Sequence, residues 1–357
     1  MKKKITISGR WILLGSLVAV AIFYWILLLT GWLDRESPSL PGGQESASTT
    51  ALSKEYKYFS QLNGAGVESR RDIQPQVVGV MIDNHPDARG SQAGLGAAKV
   101  VYEALVEGGI TRYLALFDST QTAAKVGPIR SARPYFIDWL REYGDALYLH
   151  SGGSPDALDY IKKINLFDGN EFYFGKYYWR NDKITPPHNL FTSAKGWQEL
   201  WQDAERTVTT TGWPGWRFAT STPASPSGEA VVAVAIPFSS EYSVRWGHQA
   251  DSQIYTRSIN NQPHQDEAGK QISAATVVVQ FVPMKVVDKE GRRELATVGG
   301  GEARVFFSGR MIRGRWAKTS PTARTRFYTP LGEEIPLTPG KIWIEVVPTG
   351  AKLIVTN

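Results

Sequence analysis

DALYLHSGGSPDALDYIKK, residues 145–163, joins three signals in one short stretch. Asp145–His150 is apolar and aromatic enough for a buried strand. Ser151-Gly152-Gly153 is a turn. Ser154-Pro155-Asp156 then supplies an N-cap, a first-turn proline and a favourable negative charge for a helix over Ala157–Lys163. The same strand-to-helix rhythm extends outward. Gln76–Ile82 (QVVGVMI) reads as a strand ending at Asp83-Asn84-His85, and Thr111–Asp118 (TRYLALFD) as another. Ala97, Val100, Val101, Ala104 and Leu105 recur at helical spacing and predict an amphipathic helix that stops at Gly108-Gly109. Pro134–Glu142 predicts a helix with proline at its first position. Strands alternating with helices imply a layered α/β domain over 55–206 with some parallel pairing.

Ligands of open α/β sheets sit beyond the C-terminal ends of parallel strands. If the strands ending at Asp83 and His150 are parallel neighbours, Asp83, Asn84, His85, His150 and the Ser151-Gly152-Gly153-Ser154 turn share one crevice with Arg130 and Arg133. Between them in sequence lies Gly127-Pro-Ile-Arg-Ser-Ala-Arg-Pro-Tyr135. Its Arg130, Ser131 and Arg133 precede a helix start, which is the chemistry of an anion site. The alternative is a structural loop whose arginines pair with nearby carboxylates. The expected ligand-binding set is therefore Arg130, Ser131, Arg133, Asn84, His85, Gly152, Gly153, Ser154 and His188, with Asp83, Glu103 and His150 as catalytic candidates.

The chemistry stays open. Glu103 and Glu107 would stand four residues apart on one helix edge, either as acid/base groups or as an ion-pair partner for Arg112. His85, His150 and His188 with Asp83 have the donor types of a metal site, yet no pair has a helical ligand spacing, so no metal or other cofactor is expected. Ser131 and Ser154 lie in no G-x-S-x-G elbow, Gly94-Leu95-Gly96 is only a fragment of a dinucleotide fingerprint, and no Walker A pattern occurs. The aromatic run Phe172-Tyr173-Phe174 and Tyr177-Tyr178-Trp179, near Pro187-His188, is either core or a stacking wall for a sugar ring.

Trp11–Leu33 is a 23-residue run without charge, about 35 Å as a helix and enough to span a bilayer. A basic segment over 1–10 (Lys2, Lys3, Lys4, Arg10) precedes it, and Trp11 and Trp32 mark its ends. This predicts an uncleaved single-pass anchor, with its N-terminus cytoplasmic and the bulk extracytoplasmic. A flexible Ser/Pro/Gly-rich tether follows over 34–53. The chain has 357 residues and a formal charge of +6, but four of the 40 basic residues lie in 1–33, leaving 36 against 34 acids beyond it. That near-balance and the exported location argue against nucleic acid. No cysteine is present, which excludes disulfides, thiol catalysis and a lipidated N-terminal Cys.

Thr207–Gly228 is a second low-complexity stretch, a linker or long loop dividing 55–206 from a β-rich unit over 229–357. Strands are expected there at Ala230–Pro237, Ser252–Tyr255, Ala275–Pro283, Glu302–Ser308, Met311–Ala317, Thr325–Tyr328 and Lys341–Val347. Nine basic residues between Arg292 and Arg326 face two acids. They form either a surface for anionic polymer or lipid headgroups, or a solvated, edge-protecting face.

IDN (Ile82–Asn84), GLGAAKVVYEALVEGGITRYLALF (Gly94–Phe117), VGPIRSARPY (Val126–Tyr135), LHSGGSP (Leu149–Pro155) and PHNLF (Pro187–Phe191) together resemble the YerB-like family over most of residues 60–350. That resemblance implies a bacterial exported protein built from an N-terminal and a C-terminal domain of unknown function, α/β and β-rich in turn. Its members are commonly described as lipoproteins. Here the sequence departs, having an apolar anchor and no cysteine. The resemblance brings no catalytic residues. Three classes of function follow: a tethered module binding an anionic cell-envelope component, an envelope hydrolase or transferase using Asp83, Glu103 or His150, and a scaffold for a protein partner in a membrane complex.

Overall fold

The computed structural model describes residues 55–204, 212–219 and 228–357. The basic segment over 1–10, the anchor expected at 11–33 and the tether over 34–53 lie outside the described residues. Among those described, no helix is long and apolar enough to cross a membrane. In chain order the main elements begin with β1 (Val77–Asp83), α1 (Pro86–Arg89), β2 (Val100–Leu105), β3 (Thr111–Asp118) and α2 (Pro134–Leu140). Next come β4 (Leu147–His150), α3 (Pro155–Lys163), β5 (Phe167–Asn170), α4 (Glu171–Phe174) and α5 (Ala194–Asp203). Then follow β6 (Ala233–Pro237), β7 (Ser243–Gln249), β8 (Ile254–Ile259) and β9 (Thr276–Val282). The last are β10 (Gly299–Phe307), β11 (Arg310–Lys318), β12 (Ile342–Pro348) and β13 (Ile354–Thr356).

One eleven-stranded mixed sheet carries the molecule. From a short edge strand at Glu229–Ala230 its order is β11-β10-β9-β12-β2-β3-β1-β4-β5, with Arg326–Tyr328 also pairing β11. Strands before 207 and after 228 thus share one ladder, joined where β12 pairs β2 in parallel and sets Glu345 opposite Glu103. A six-stranded antiparallel sheet holds β8-β7-β6-β13. β1 and β2 are buried along their whole length, as central strands covered on both faces must be.

Two hydrophobic clusters lie on opposite faces of the large sheet. Val78, Val80 and Ile82 of β1 pack with Val234, Trp246 and Tyr255 of the second sheet and Trp197 of α5. Val77 and Met81 pack with Phe136, Ile137 and Leu140 of α2 and Ile161 of α3. The chain is therefore layered as helices, mixed sheet and second sheet, with more β structure than a regular α/β alternation. Ser154 caps α3 through a bond from Ala157 N to its Oγ, and Lys162 and Lys163 close the last turn, as the charge pattern requires.

The helix expected across 97–105 is a correction. The segment Val100–Leu105 is β2, paired antiparallel with β3 and parallel with β12. A strand buried on both faces has no polar side, so its apolar run matches a helical spacing by accident. Val100, Val101 and Tyr102 prefer the pleated conformation. Glu103 and Glu107 are consequently not neighbours on a helix edge. β7 was not expected at all, although Val244 and Trp246 alternate inward within it. Within the stretch read as linker or long loop, Trp213 and Trp216 are buried.

Those two tryptophans cover a buried ion cluster. Glu142, at the end of α2, receives Lys318 Nζ at 2.6 Å, Thr325 Oγ1 at 2.6 Å and Thr325 N at 3.0 Å. Arg324 NH2 donates to the Glu142 carbonyl at 3.1 Å while its guanidinium lies 3.9 Å from the Tyr143 ring centroid and 4.7 Å from that of Trp216. Removing the carboxylate leaves two buried cations unmatched, which typically costs about 3–5 kcal/mol. Glu142→Ala is expected to lower the unfolding free energy by that amount, seen as a lower urea midpoint at an unchanged m-value. An unfolding free energy within about 0.5 kcal/mol of wild type would refute this role.

Candidate functional site

β1 and β4 are parallel neighbours, with Val78, Gly79 and Val80 in register with Leu147, Tyr148 and Leu149. Their C-terminal ends therefore open side by side, and the 127–135 loop is stitched between them. Asp83 N donates to Pro128 O at 2.8 Å, Arg130 N to Met81 O at 3.0 Å, Ser151 N to Arg130 O at 3.1 Å and Ala132 N to Gly152 O at 2.9 Å. These bonds join residues 20 to 49 positions apart in sequence. Asp83 Oδ2 lies 2.7 Å from His188 Nδ1 and 3.1 Å from Arg130 Nε, while Asp83 Oδ1 accepts from His85 N at 2.9 Å. The His85 and His188 rings stack at 4.7 Å. Asp83 is buried, whereas a quarter of the Arg130 side chain and two fifths of that of His85 are exposed.

Arg112 completes the crevice. It faces Asp83 across the β1–β3 pair, and its NH1 donates to Ser131 O at 2.8 Å. It is buried, and its Nε has no hydrogen-bond partner. Burial first, and then the Arg133 and Arg130 charges, push its pKa down to about 10, against a counteracting pull from Asp83. Arg133 is spent differently. Its Nε and NH2 both reach Glu107 at 2.6 Å, and these bonds outweigh burial to hold Glu107 below the usual carboxylate range.

The other expected residues divide between two places. Within the wall of the crevice, His150 is fully buried, its Nδ1 2.7 Å from Gly152 O and its Nε2 2.8 Å from Asp168 Oδ1. Both ring nitrogens are thus engaged. Gly152 has φ +62°, and a Cβ there would lie 2.8 Å from the Phe172 ring, so glycine is required. Gly153 bridges Ala132, and Ser154 caps α3. The aromatic run splits: Tyr177 and Tyr178 are core, while Phe172, Tyr173 and Trp179 are exposed, Phe172 against Gly152.

Asn84 and Glu103 turn the other way, into the interior. Glu103 Oε2 accepts from Arg257 NH2 at 2.5 Å, and its Oε1 accepts from Thr111 Oγ1 at 2.6 Å and from Tyr242 OH at 2.5 Å. Asn84 Nδ2 donates to Thr111 Oγ1 at 2.6 Å and Tyr242 OH at 2.7 Å. Arg257 NH1 lies 2.6 Å from His264 Nδ1, and His264 Nε2 lies 2.7 Å from Gln92 Oε1. Arginine only donates, so Nδ1 accepts and Nε2–H donates to Gln92. Burial and the Arg257 charge hold the His264 pKa well down, in keeping with that neutral ring. Gln92 Nε2 then donates to the Asp83 carbonyl at 2.6 Å. Asp87, Arg112, Arg257, His264 and Gln92 were absent from the expected set. His85-Pro86-Asp87 was legible as a helix cap, but nothing local pairs Arg257 with Glu103.

The motifs recur in known proteins. Residues 63–210 match the family model described as protein of unknown function (DUF3048) N-terminal domain, and residues 234–344 match its C-terminal domain. The "Putative lipoprotein YerB" of Bacillus subtilis (strain 168) is 32% identical over 309 residues, covering 82% of this chain and 87% of that protein. The chain belongs to the YerB-like family. The crystal structure of the YerB protein from Bacillus subtilis is similar with a TM-score of 0.73 at 30% identity, covering 83% of this chain and 99% of that one. The resemblance expected from the motifs is thereby established, and with it kinship to a family of unknown function.

In this YerB-like chain the seam at Glu103 carries a second carboxylate. Glu345 accepts from Trp246 Nε1 at 2.7 Å and stands 3.7 Å from Arg257 Nε. Burial, and then the neighbouring Glu103 charge, push the Glu345 pKa well above the usual range. One guanidinium therefore serves Glu103, while the Glu345 site favours the neutral acid. Because its folded pKa is raised, the folded state holds a proton that the unfolded state has lost. That contribution erodes stability as pH rises from the unfolded value of about 4.3 toward the folded one. Glu345→Gln mimics the neutral form and is expected to cost under about 1 kcal/mol at pH 7 and to flatten this slope. Glu103→Gln strands Arg257 and is expected to cost about 3–5 kcal/mol. Urea titrations of both variants across pH 5 to 8 check the contrast, and equal losses would refute it.

Proposed function

We propose that the chain is a membrane-tethered extracytoplasmic protein that binds an anionic component of the cell envelope in the crevice of Asp83, Arg112, Arg130 and His188. The carrying observation is Arg112: a buried guanidinium with an unpartnered Nε beside two further arginines. Asp83 is shared between Arg130 and His188, and Glu107 is bound by Arg133. An anion entering here would meet charge that the fold leaves unmatched. The exposed Phe172, whose ring lies against Gly152, offers a ring face for a sugar, and Tyr173 and Trp179 of the same run are exposed as well. Tethering rests on the uncharged Trp11–Leu33 run after Lys2-Lys3-Lys4, and the name of the Bacillus subtilis relative, a "Putative lipoprotein", is in keeping with a membrane-associated place outside the cytoplasm.

The basic run of the C-terminal half supports a smaller share of the reading. Arg313 and Arg315 are exposed on β11 with Trp316 turned inward. Arg313 is held by Glu229 at 2.8 Å, Arg304 by Glu302 and Arg326 by Glu334. Lys318 and Arg324 are buried on Glu142. Pairing of this kind suits a solvated face better than a docking surface.

A hydrolase or transferase reading has one observation in its favour. Asp83 holds His188 by Nδ1 in the manner of an oriented general base. Binding and turnover separate by experiment. Arg130→Ala is expected to weaken retention on isolated cell-wall polymer or anionic vesicles about tenfold or more, the worth of one charge-assisted hydrogen bond, with circular dichroism unchanged. Retention by polymer but not by vesicles identifies a wall component, and the reverse a headgroup. Unchanged retention of the folded variant on both overturns the crevice. Polymer cleavage or transfer lost in His188→Ala would convert the reading to an enzyme.

A further inference from the structure

His85, Asp87 and His188 lie together at the outer edge of the crevice, and a ligand atom from each falls within 4.8 Å of the other two. We propose that these three residues bind a divalent metal ion of the zinc class. The donor set is two imidazoles and one carboxylate, without cysteine, which suits zinc and the neighbouring transition ions rather than calcium or magnesium.

The supporting shell is already built. His188 gives its Nδ1 to the buried Asp83 carboxylate at 2.7 Å, which orients the ring and leaves the opposite nitrogen free to ligate. A carboxylate behind a ligating histidine is the usual outer partner of a metal site. His85 is anchored through its main chain, since its N–H donates to Asp83 Oδ1 at 2.9 Å. One carboxylate thus fixes both histidine-bearing segments. The His85 ring is held only loosely, by the Asp87 amide at 3.3 Å and the Asp87 carboxylate at 3.5 Å. Its near-parallel stacking on His188 sets two imidazoles face to face.

Tetrahedral coordination needs donor atoms about 3.3 Å apart, so the trio must close by roughly an ångström. Asp87 and His85 are the two exposed members and can rotate, while His188 is fixed. Asp83 and Asp87 stand against the guanidiniums of Arg130 and Arg112, so the carboxylates balance these arginines before an ion enters, and Asp87 supplies the charge that the ion meets directly. Three protein ligands leave a fourth position, which a water or an anionic ligand would fill. The site needs no anionic polymer for its own occupancy and stands independently of the binding reading.

The test uses the full chain in detergent, stripped of metal with a chelator, and titrated with zinc chloride alone. Calorimetry and elemental analysis are expected to give one ion per chain. His85→Ala and His188→Ala should each weaken binding at least 100-fold, with circular dichroism unchanged. Asp83→Asn should weaken it about 10- to 100-fold, the usual effect of removing an outer-shell partner. His85 is half-exposed, so its variant keeps the test valid if His188→Ala misfolds. Absence of saturable uptake, or uptake retained in folded His85→Ala, overturns the proposal. Envelope-polymer retention measured in chelator is read separately, so loss of either property leaves the other measurable.

Discussion

Arg257 is the one charge on which the two halves of the chain both depend. It sits fully buried on β8, yet its best partner, Glu103, belongs to β2, 154 positions earlier. A guanidinium taken out of water is tolerable only when its charge and its hydrogens are met together. Glu103 meets the charge, and Tyr242 and His264 take further hydrogens, while Nε, 3.7 Å from Glu345, has no hydrogen-bond partner. Trp343 and Trp246 lie with ring centroids 4.9 and 5.8 Å from the guanidinium carbon. Any slip of β12 against β2 would carry Glu345 away from Glu103 and break this arrangement. The ion network therefore specifies register more than it adds stability.

That interior network reaches the crevice by a short path. Arg257 fixes the His264 tautomer, His264 orients Gln92, and Gln92 holds the Asp83 carbonyl. Asp83 is thus restrained on its main chain from the inside and on its carboxylate from the outside. A site residue supported from both directions keeps its geometry without relying on the ligand, the condition for pre-organised binding. The stitching of the 127–135 loop to β1 and to the Gly152 turn does the same for Arg130.

Much of the local structure was legible because local rules suffice for it. β3 and the capped α3 follow from their own apolar pattern and end chemistry, and the strand ends carrying Asp83 and His150 were placed correctly. Their parallel pairing needed the fold. The 97–105 segment misled because a strand covered on both faces offers no polar side, and the one charged residue of β2, Glu103, has its partner far away in sequence. Arg130 and Asp83 were expected in one crevice on the condition that the two strands pair in parallel, and the structure supplies both that pairing and an ion pair between them. Arg133 lies on the same loop but is consumed by Glu107, a contact set by the turn after β2 rather than by any spacing. Asp87 escaped notice because it is an ordinary first-turn acid, and Arg112 was read only as an ion-pair partner for Glu103 and Glu107, whereas it stands opposite Asp83.

The crevice holds more cationic groups than its carboxylates can satisfy, and this explains its division of labour. Glu107 removes Arg133 from the site by a two-point pairing. Asp83 cannot do the same for both Arg130 and His188, since its Oδ2 serves each of them and its Oδ1 is bonded to the His85 amide. Arg112 is left with a main-chain carbonyl and a bare Nε. Structural arginines are usually buried only when fully matched. Keeping this one short of a partner costs the fold stability, and an anionic ligand is the partner that would offset the cost.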